Sequence, residues 1–413
     1  MKLLHTSDWH LGRMLYGQKR YEEFEAFLLW LKELLKKEAC DGIIIAGDIF
    51  DTPTPSNRAQ ELYYSFLAAI SSLCRHIIII GGNHDSPTFL DAPCALLRSL
   101  QIHVVGAAPS QVDDEIICLR DSEDAVEAVV CAVPYLRDRD IRTASAEGGD
   151  DTESLRRRAV SAHYAKVISR GETLRQQAGS HVPLIVTGHL FTAGGTTVDG
   201  DGVRELYVGS LDRVSADIFP DTVDYVALGH LHVPQRVQQR EHIRYSGSPI
   251  PMGFNEAKQE KQVVCLTFTE DSSTPCITTV FVPEFQKLER IRGDVSHIQE
   301  RLRALSAEKS RAWVEVEYTG DEIIHRLQDE IEAVCSGPFP RVIRIKNRTF
   351  VQSILPPEET ESLEEMSPED VFEKCLVRHD VSPKEQEPLR QRFSKVLRDI
   401  YEEDRGGADH EDH

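Results

Sequence analysis

Five short motifs carry the side chains with chemical potential in this chain. They are Asp8-Trp9-His10, Gly47-Asp48-Ile49-Phe50-Asp51, Gly82-Asn83-His84-Asp85, Gly188-His189 and Gly229-His230-Leu231-His232. Together they offer imidazole, carboxylate and an amide, and no thiolate. Such a mixed N/O set suits Mn²⁺, Fe²⁺ or Mg²⁺ better than a structural zinc. The candidate ligands Asp8, His10, Asp48, Asn83, His189, His230 and His232 are too many for one ion and right for two. A carboxylate has two oxygens, so Asp48 can bridge ions about 3.5–4 Å apart. Two such ions clamp a phosphate, lower the pKa of a bound water and stabilise an in-line displacement. Taken singly the motifs are weak: Asn-His-Asp after two glycines also suits a plain turn. Taken together, in order and each at the end of an apolar segment, they predict a dinuclear site.

Those apolar segments read as strands: Lys2–Thr6, Gly42–Ala46, His76–Ile80, a pair within 115–132, then 183–187, 224–228, 242–246 and Gln262–Thr269. Asp8/His10 and His230/His232 are i, i+2 pairs, which point to one side of an extended segment. Open α/β sheets place their sites at strand C-terminal ends, where these motifs fall. Tyr21–Lys37 has apolar residues at helical spacing (Phe24, Phe27, Leu28, Leu31, Leu34, Leu35), and 59–73 and 152–177 also read as helices. The alternation of strand and helix predicts largely parallel sheet. Two sheet-forming halves, about 1–140 and 180–285, would pack as a layered α/β/β/α sandwich.

Beyond 285 the composition changes. Stretches 288–305 and 322–335 read as helices, and Trp313–Tyr318 and 341–346 as strands, a small α+β module over 286–350. Arg341, Arg344, Lys346 and Arg348 recur there at a period near two, as candidates for phosphate contacts. Residues 351–366, with Pro356-Pro357 and an acidic run, read as a linker. Two helices opened by Ser-Pro follow within 367–403. One carries Phe372 and Leu376 on its apolar stripe, the other Leu389, Phe393, Leu397 and Ile400, and both suit docking on a partner helix. Residues 404–413 read as a disordered tail.

The 413 residues carry a net charge of −21, which looks wrong for a nucleic-acid binder. The distribution matters more than the sum. Residues 351–413 hold 8 Lys+Arg against 18 Asp+Glu, whereas 286–350 hold 12 against 11. Bound divalent metals would neutralise part of the remaining acid. The nine cysteines form no C-x-x-C pair, which argues for reduced thiols in a cytoplasmic protein. Neither a signal peptide nor an apolar run of about 18 residues is evident, so no membrane association is expected.

In order and spacing the five motifs resemble the calcineurin-like metallophosphoesterase superfamily over roughly 1–285. The resemblance implies a four-layer α/β/β/α metallophosphoesterase sandwich. It implies that Asp8, His10, Asp48 and His232 hold one metal, and Asp48, Asn83, His189 and His230 the second. His84 would be the catalytic residue facing the scissile phosphate, with Asp51 and Asp85 orienting ligands. His5-Thr-Ser-Asp-Trp-His-Leu-Gly12, Tyr207-Val-Gly-Ser-Leu211 and Tyr245-Ser-Gly-Ser-Pro-Ile-Pro251 look like those of the bacterial SbcD family of nuclease subunits. In that family the module after the core is a DNA-binding capping domain, and the C-terminal helices dock on the coiled coil of SbcC, an SMC-like ATPase. This implies a Mn²⁺-dependent DNA nuclease working as a homodimer within a heterotetramer. Its expected activities are ATP-dependent exonuclease on double-strand ends and endonuclease on single strands and hairpins, in repair, replication and recombination. The chain has no Gly-x-x-x-x-Gly-Lys-Ser/Thr loop, so the ATP would be handled by the partner. Another calcineurin-like phosphodiesterase or a protein phosphatase is the competing expectation, since a fold and its metals do not fix the substrate.

Overall fold

Ile43-Ile44-Ile45 and the four isoleucines from Ile77 to Ile80 are β-branched runs too short for buried helices, and they form central strands. The structure is a computed structural model. It describes residues 1–141, 152–179, 181–192, 195, 214–269, 272–322, 324, 326–334, 337 and 339–347, with positions 372, 376, 386, 388–390, 392 and 393 beyond them. Two compact units divide the chain, Met1–Glu289 and Arg290–His413.

The strands of the first unit are β1 (Lys2–Thr6), β2 (Gly42–Ala46), β3 (His76–Ile80), β4 (Ile102–Val105), β5 (Ile116–Arg120), β6 (Val126–Cys131), β7 (Leu184–His189), β8 (Tyr225–Gly229), β9 (Gln235–Arg236), β10 (Ile243–Tyr245), β11 (Gln262–Thr269) and β12 (Ser272–Phe281). Its α-helices are α1 (Tyr21–Lys37), α2 (Asn57–Ile70), α3 (Pro87–Asp91), α4 (Cys94–Arg98), α5 (Asp138–Ile141) and α6 (Thr152–Ala178). The strands form two six-stranded sheets, ordered β12-β11-β1-β2-β3-β4 and β5-β6-β7-β8-β10-β9. β1 to β4 are parallel, as are β6, β7, β8 and β10, and the outer pairings are antiparallel.

Successive residues of the inner strands are apolar because both faces of each sheet are covered. Ile44, Ala46, Ile78 and Ile80 face Val130, Ala132, Ile185 and Ala227 in the layer between the sheets. Their neighbours Ile43, Ile45, Ile77 and Ile79 pack outward with Phe24, Phe27 and Leu31 of α1 and Phe66 of α2. Val129, Cys131, Leu184 and Val226 pack outward with Tyr164 and Val167 of α6. The result is the four-layer sandwich, helix–sheet–sheet–helix. Among the described residues, no helix is long and apolar enough to cross a membrane.

The strands are not shared out by halves of the chain, as the sequence suggests. β11 and β12 return to the first sheet, with Leu3 opposite Leu266 and His5 opposite Val264. β5 and β6 join the second sheet through the parallel pairing of β6 with β7. Each sheet therefore ends in a hairpin contributed by the other half, a long-range choice that local periodicity does not encode.

In the second unit, β13 (Leu288–Gly293), β14 (Trp313–Tyr318) and β15 (Arg341–Asn347) form a three-stranded sheet in that order. It carries the helices α7 (Val295–Ala307) and α8 (Leu327–Glu332). Ile298, Leu302 and Leu305 of α7 pack on Val314 and Val316 of β14. The expected helix over 288–305 is corrected here: its first six residues are β13. Gly293 interrupts the segment, and the Asp294 carboxylate accepts the His297 N–H at 2.8 Å, capping the start of α7.

Candidate metal centre

The motif residues leave the ends of β1, β2 and β3 in one sheet and β7 and β8 in the other. The backbone there is bent out of ordinary strand geometry. Asp8, His10, Asp48 and His230 have φ of 53°, 48°, 49° and 103°, conformations that cost non-glycine residues about 1–3 kcal/mol each. Two glycines permit the close approach of the strand ends. A Cβ on Gly82 would collide with the Asp48 carboxylate, and one on Gly229 with the Ala46 carbonyl oxygen. His5 ties the sheets below this point. Its Nδ1 accepts the Tyr225 hydroxyl at 2.9 Å and its Nε2–H donates to the Leu228 carbonyl at 3.2 Å. Burial pushes His5 down to about 3, so the ring is neutral, as that bonding pattern requires.

The strand ends bring three overlapping groups of donor atoms together, each within 4.8 Å: Asp8, His10 and His232; His10, Asp48 and His84; Asp48, His189 and His230. His10 Nε2 and His232 Nε2 face each other at 3.1 Å. Asp48 Oδ2 lies 3.7 Å from His10 Nε2 and 3.2 Å from His189 Nε2, between the two sides of the site. Asn83 Oδ1 lies 3.0 Å from both His189 Nε2 and His230 Nδ1. Asp8 accepts the His230 N–H at 2.9 Å and the Ser7 hydroxyl at 2.5 Å.

This donor set fits divalent cations. Converging imidazole nitrogens and carboxylates, nearly all buried, favour a positive charge between them. Burial and mutual contact shift the charge states of these groups in different directions. Burial pushes the Asp8 carboxyl up from its ordinary value. Burial opposes charge on Asp48 too, but the facing imidazoles, His189 foremost, hold it well below the usual carboxylate range. Burial likewise opposes a proton on His189, yet Asp48 raises that ring to about 9. Burial takes His10 down to about 4 and His230 to about 3, which leaves their lone pairs available at neutral pH.

A surrounding set of groups aims the rings. His189 Nδ1 donates to the Ala46 carbonyl at 2.9 Å, and His84 Nδ1 to the Asp51 carbonyl at 2.9 Å. The His84 N–H donates to Asp48 Oδ1 at 2.9 Å. The Asp51 carboxylate stands 3.3 Å from His10 Nδ1 and 3.2 Å from Arg13. Asp85 accepts the amides of Ile49, Phe50 and Gly82, which holds the Asp48 and Asn83 loops together. Arg137 donates to the carbonyls of Gly82 and Asp85 at 3.2 and 2.8 Å. Sequence reasoning misses Arg137, and it misses Glu256 and Lys261 beside His232, because no motif spacing marks them. For the segment 245–251 the sequence suggests no physical role. Here Ser246 bonds Ser7 at 2.8 Å, and Tyr245 donates to the Leu190 carbonyl at 2.6 Å, steadying the turn after His189. A cavity of about 50 Å³ beside the donor set is lined by Tyr135, Leu136 and Phe191 together with Arg156, His189 and His230.

The candidate DNA-contacting residues lie in the second unit. A register shift between Val314 and Glu315 places Arg344 opposite Glu315 and Lys346 opposite Glu317. The buried Glu315 carboxylate gathers Arg290 at 2.5 Å, Arg344 at 3.0 Å and Lys346 at 3.6 Å. These bases are therefore tethered in an array rather than standing as a simple solvated edge. Arg341 is exposed at the start of β15, and Arg348 lies outside the described residues. Of the candidate partner-binding residues, Phe372 and Phe393 stack face to face with ring centroids 4.1 Å apart. Leu376 is buried and Leu389 is exposed, while Leu397 and Ile400 lie outside the described residues.

A profile described as calcineurin-like phosphoesterase matches residues 1–234. A second, described as type 5 capsule protein repressor C-terminal domain, matches 284–380. The chain is similar to the SbcD subunit of nuclease SbcCD from Escherichia coli K12, at 34% identity over 96% of this chain and 98% of that one. It is also similar to the SbcD proteins of Rhodobacter capsulatus, at 37% identity over 64% of this chain and 66% of that one, and of Bacillus subtilis, at 34% over 64% and 65%. A profile covering more than half the residues, a full-length likeness and a donor set built for divalent ions agree, and the chain belongs to the calcineurin-like phosphoesterase family, with the SbcD proteins, as a metal-dependent hydrolase.

Proposed function

We propose that the chain is the nuclease subunit of an SbcCD-type complex and cleaves DNA phosphodiesters with two metal ions, Mn²⁺ foremost. The observation that carries this is the full-length likeness to the Escherichia coli protein, through the second unit as well as the metal centre. Asp8, His10, Asp48 and His232 would hold one ion, and Asp48, Asn83, His189 and His230 the other. When bound, such ions supply Lewis acidity at a phosphate oxygen and an activated water near neutral pH. The chain's own part is orientation and proton handling. The bond from His84 Nδ1 to the Asp51 carbonyl fixes the ring and leaves Nε2 to deliver a proton to the leaving oxygen. The test is Mn²⁺-dependent degradation of linear duplex DNA, set beside a chromogenic phosphodiester and a phosphopeptide. Turnover of only the small diester or the phosphopeptide would instead support another phosphodiesterase or a protein phosphatase.

In this reading residues 1–285 are the nuclease domain and 286–350 cap it and bind DNA backbone. Residues 351–366, outside the described residues, would link the cap to 367–403, which would dock on an SbcC-type ATPase, and 404–413, also outside them, would be a tail. The complex would be a homodimer within a heterotetramer, trimming double-strand ends with ATP consumed by the partner and cutting single strands and hairpins. The basic array on β15 makes one expectation specific. Arg341→Gln with Lys346→Gln removes two phosphate contacts while leaving Arg290 and Arg344 on Glu315. The salt slope of DNA binding should fall by about 0.9 per contact. An unchanged slope removes these residues from the interface.

The segments within 367–403 make another. The Phe372–Phe393 stack holds residues from both C-terminal segments together, so they would dock as one unit. Truncation before Pro357 should reduce capture by the SbcC-type partner to background and leave metal content unchanged. Undiminished capture would place the interface elsewhere.

A further inference from the structure

We propose that Glu256 and Lys261 are positioning residues for His232, holding its Nδ1–H so that Nε2 is presented to a metal ion. Glu256 is fully buried and Lys261 nearly so. Lys261 Nζ contacts Glu256 Oε2 at 2.5 Å, and donates to the Ser248 hydroxyl at 2.9 Å and the His232 carbonyl at 3.2 Å. Glu256 Oε2 also accepts the Met252 N–H at 3.0 Å, so that oxygen is occupied. The other oxygen, Oε1, stands 3.5 Å from His232 Nδ1. The ring's Nε2 lies on the opposite side, 3.1 Å from His10 Nε2, inside the donor set.

The same construction stands behind His10. There Asp51 faces Nδ1 at 3.3 Å and Arg13 contacts the same carboxylate at 3.2 Å. Two imidazoles that meet at Nε2 are thus each backed by a carboxylate, and each carboxylate by a cation. A carboxylate behind a ligating histidine selects the tautomer and makes the ring a better donor. The cation keeps the carboxylate ionised without a proton from the ring. Burying an ion pair is costly, and the Lys261–Glu256 pair differs from the buried Arg20–Glu23 pair in that its carboxylate faces a candidate metal ligand. Lys261 also leads into β11 of the first sheet, whereas His232 follows β8 of the second. The pair therefore fixes this ligand relative to the sheet that carries Asp8 and His10.

The inference rests on the two-ion reading of the site, and the experiment separates the two. Mn²⁺ is titrated calorimetrically into the metal-free full chain, wild type and variants. Glu256→Gln and Lys261→Met should each weaken one of two Mn²⁺ equivalents by about 10–100-fold and leave the other unchanged. Lys261→Arg, which keeps the cation, should restore most of the loss. Glu23→Gln, at the buried Arg20–Glu23 pair, should lower the melting temperature and leave both equivalents intact. Equal weakening of both equivalents, or of neither, overturns the role of Glu256 and Lys261. If Glu256→Gln does not fold, Lys261→Met and Lys261→Arg decide by the same criterion. A wild type that takes up fewer than two ions overturns the two-ion reading itself.

Discussion

Asp48→Ala is expected to abolish binding of both metal ions and to lower hydrolysis by more than about 100-fold, since loss of groups merely behind the ligands costs about 10–100-fold. Asp48 Oδ2 lies between His10 Nε2 and His189 Nε2, and Oδ1 accepts the His84 N–H. The methyl group of alanine replaces neither oxygen. Asn83→Ala removes a donor from one side only, next to His189 and His230. Titrating Mn²⁺ into the two variants distinguishes them: Asn83→Ala should keep one tight equivalent and Asp48→Ala none. Two equivalents retained by Asp48→Ala would show that it does not bridge.

His84→Ala is expected to retain both metal ions and lose about 10²–10⁴-fold in hydrolysis, the range for removal of a positioned general acid. The ring lies edge-on to His10 with centroids 4.8 Å apart, and it is near enough to His10 and Asp48 for a third donor group. Geometry alone therefore allows a ligand. In the two-ion reading seven other side chains serve as ligands, and His84 Nδ1 is committed to the Asp51 carbonyl, which leaves the ring as a proton donor. Metal analysis of the purified variant decides the matter. Loss of a full equivalent would make His84 a ligand.

β1, α1, β2 and β3 fall where the sequence places them, and the physical reason is local. Continuous apolar runs such as Gly42–Ala46 suit strands covered on both faces, and Phe24, Phe27, Leu28 and Leu31 recur at helical spacing. The site is legible for the same reason, because its residues lie next to strand ends that can be read. What escapes depends on contacts between distant segments. Glu256 is recognisable only once Lys261 and His232 stand around it. The shift in the pairing of β14 with β15 cannot be seen in either strand alone. The segment from Leu288 reads as helix only when the Gly293-Asp294 boundary, visible in the sequence, is given too little weight.

The return of β11 to the edge of β1 bears on how the chain is made. During synthesis β2 emerges soon after β1, but the other edge of β1 keeps its unpaired amides and carbonyls until residues 262–269 have been translated. β5 and β6 in turn wait for β7. Each half alone therefore leaves a sheet edge unpaired, and the slow step should be the longest-range pairing. An exposed strand edge also invites association with other chains in the interval. Fragments 1–141 and 152–285 made separately should accumulate as aggregate, whereas co-expression should recover soluble, metal-binding protein, because each completes the other's sheet.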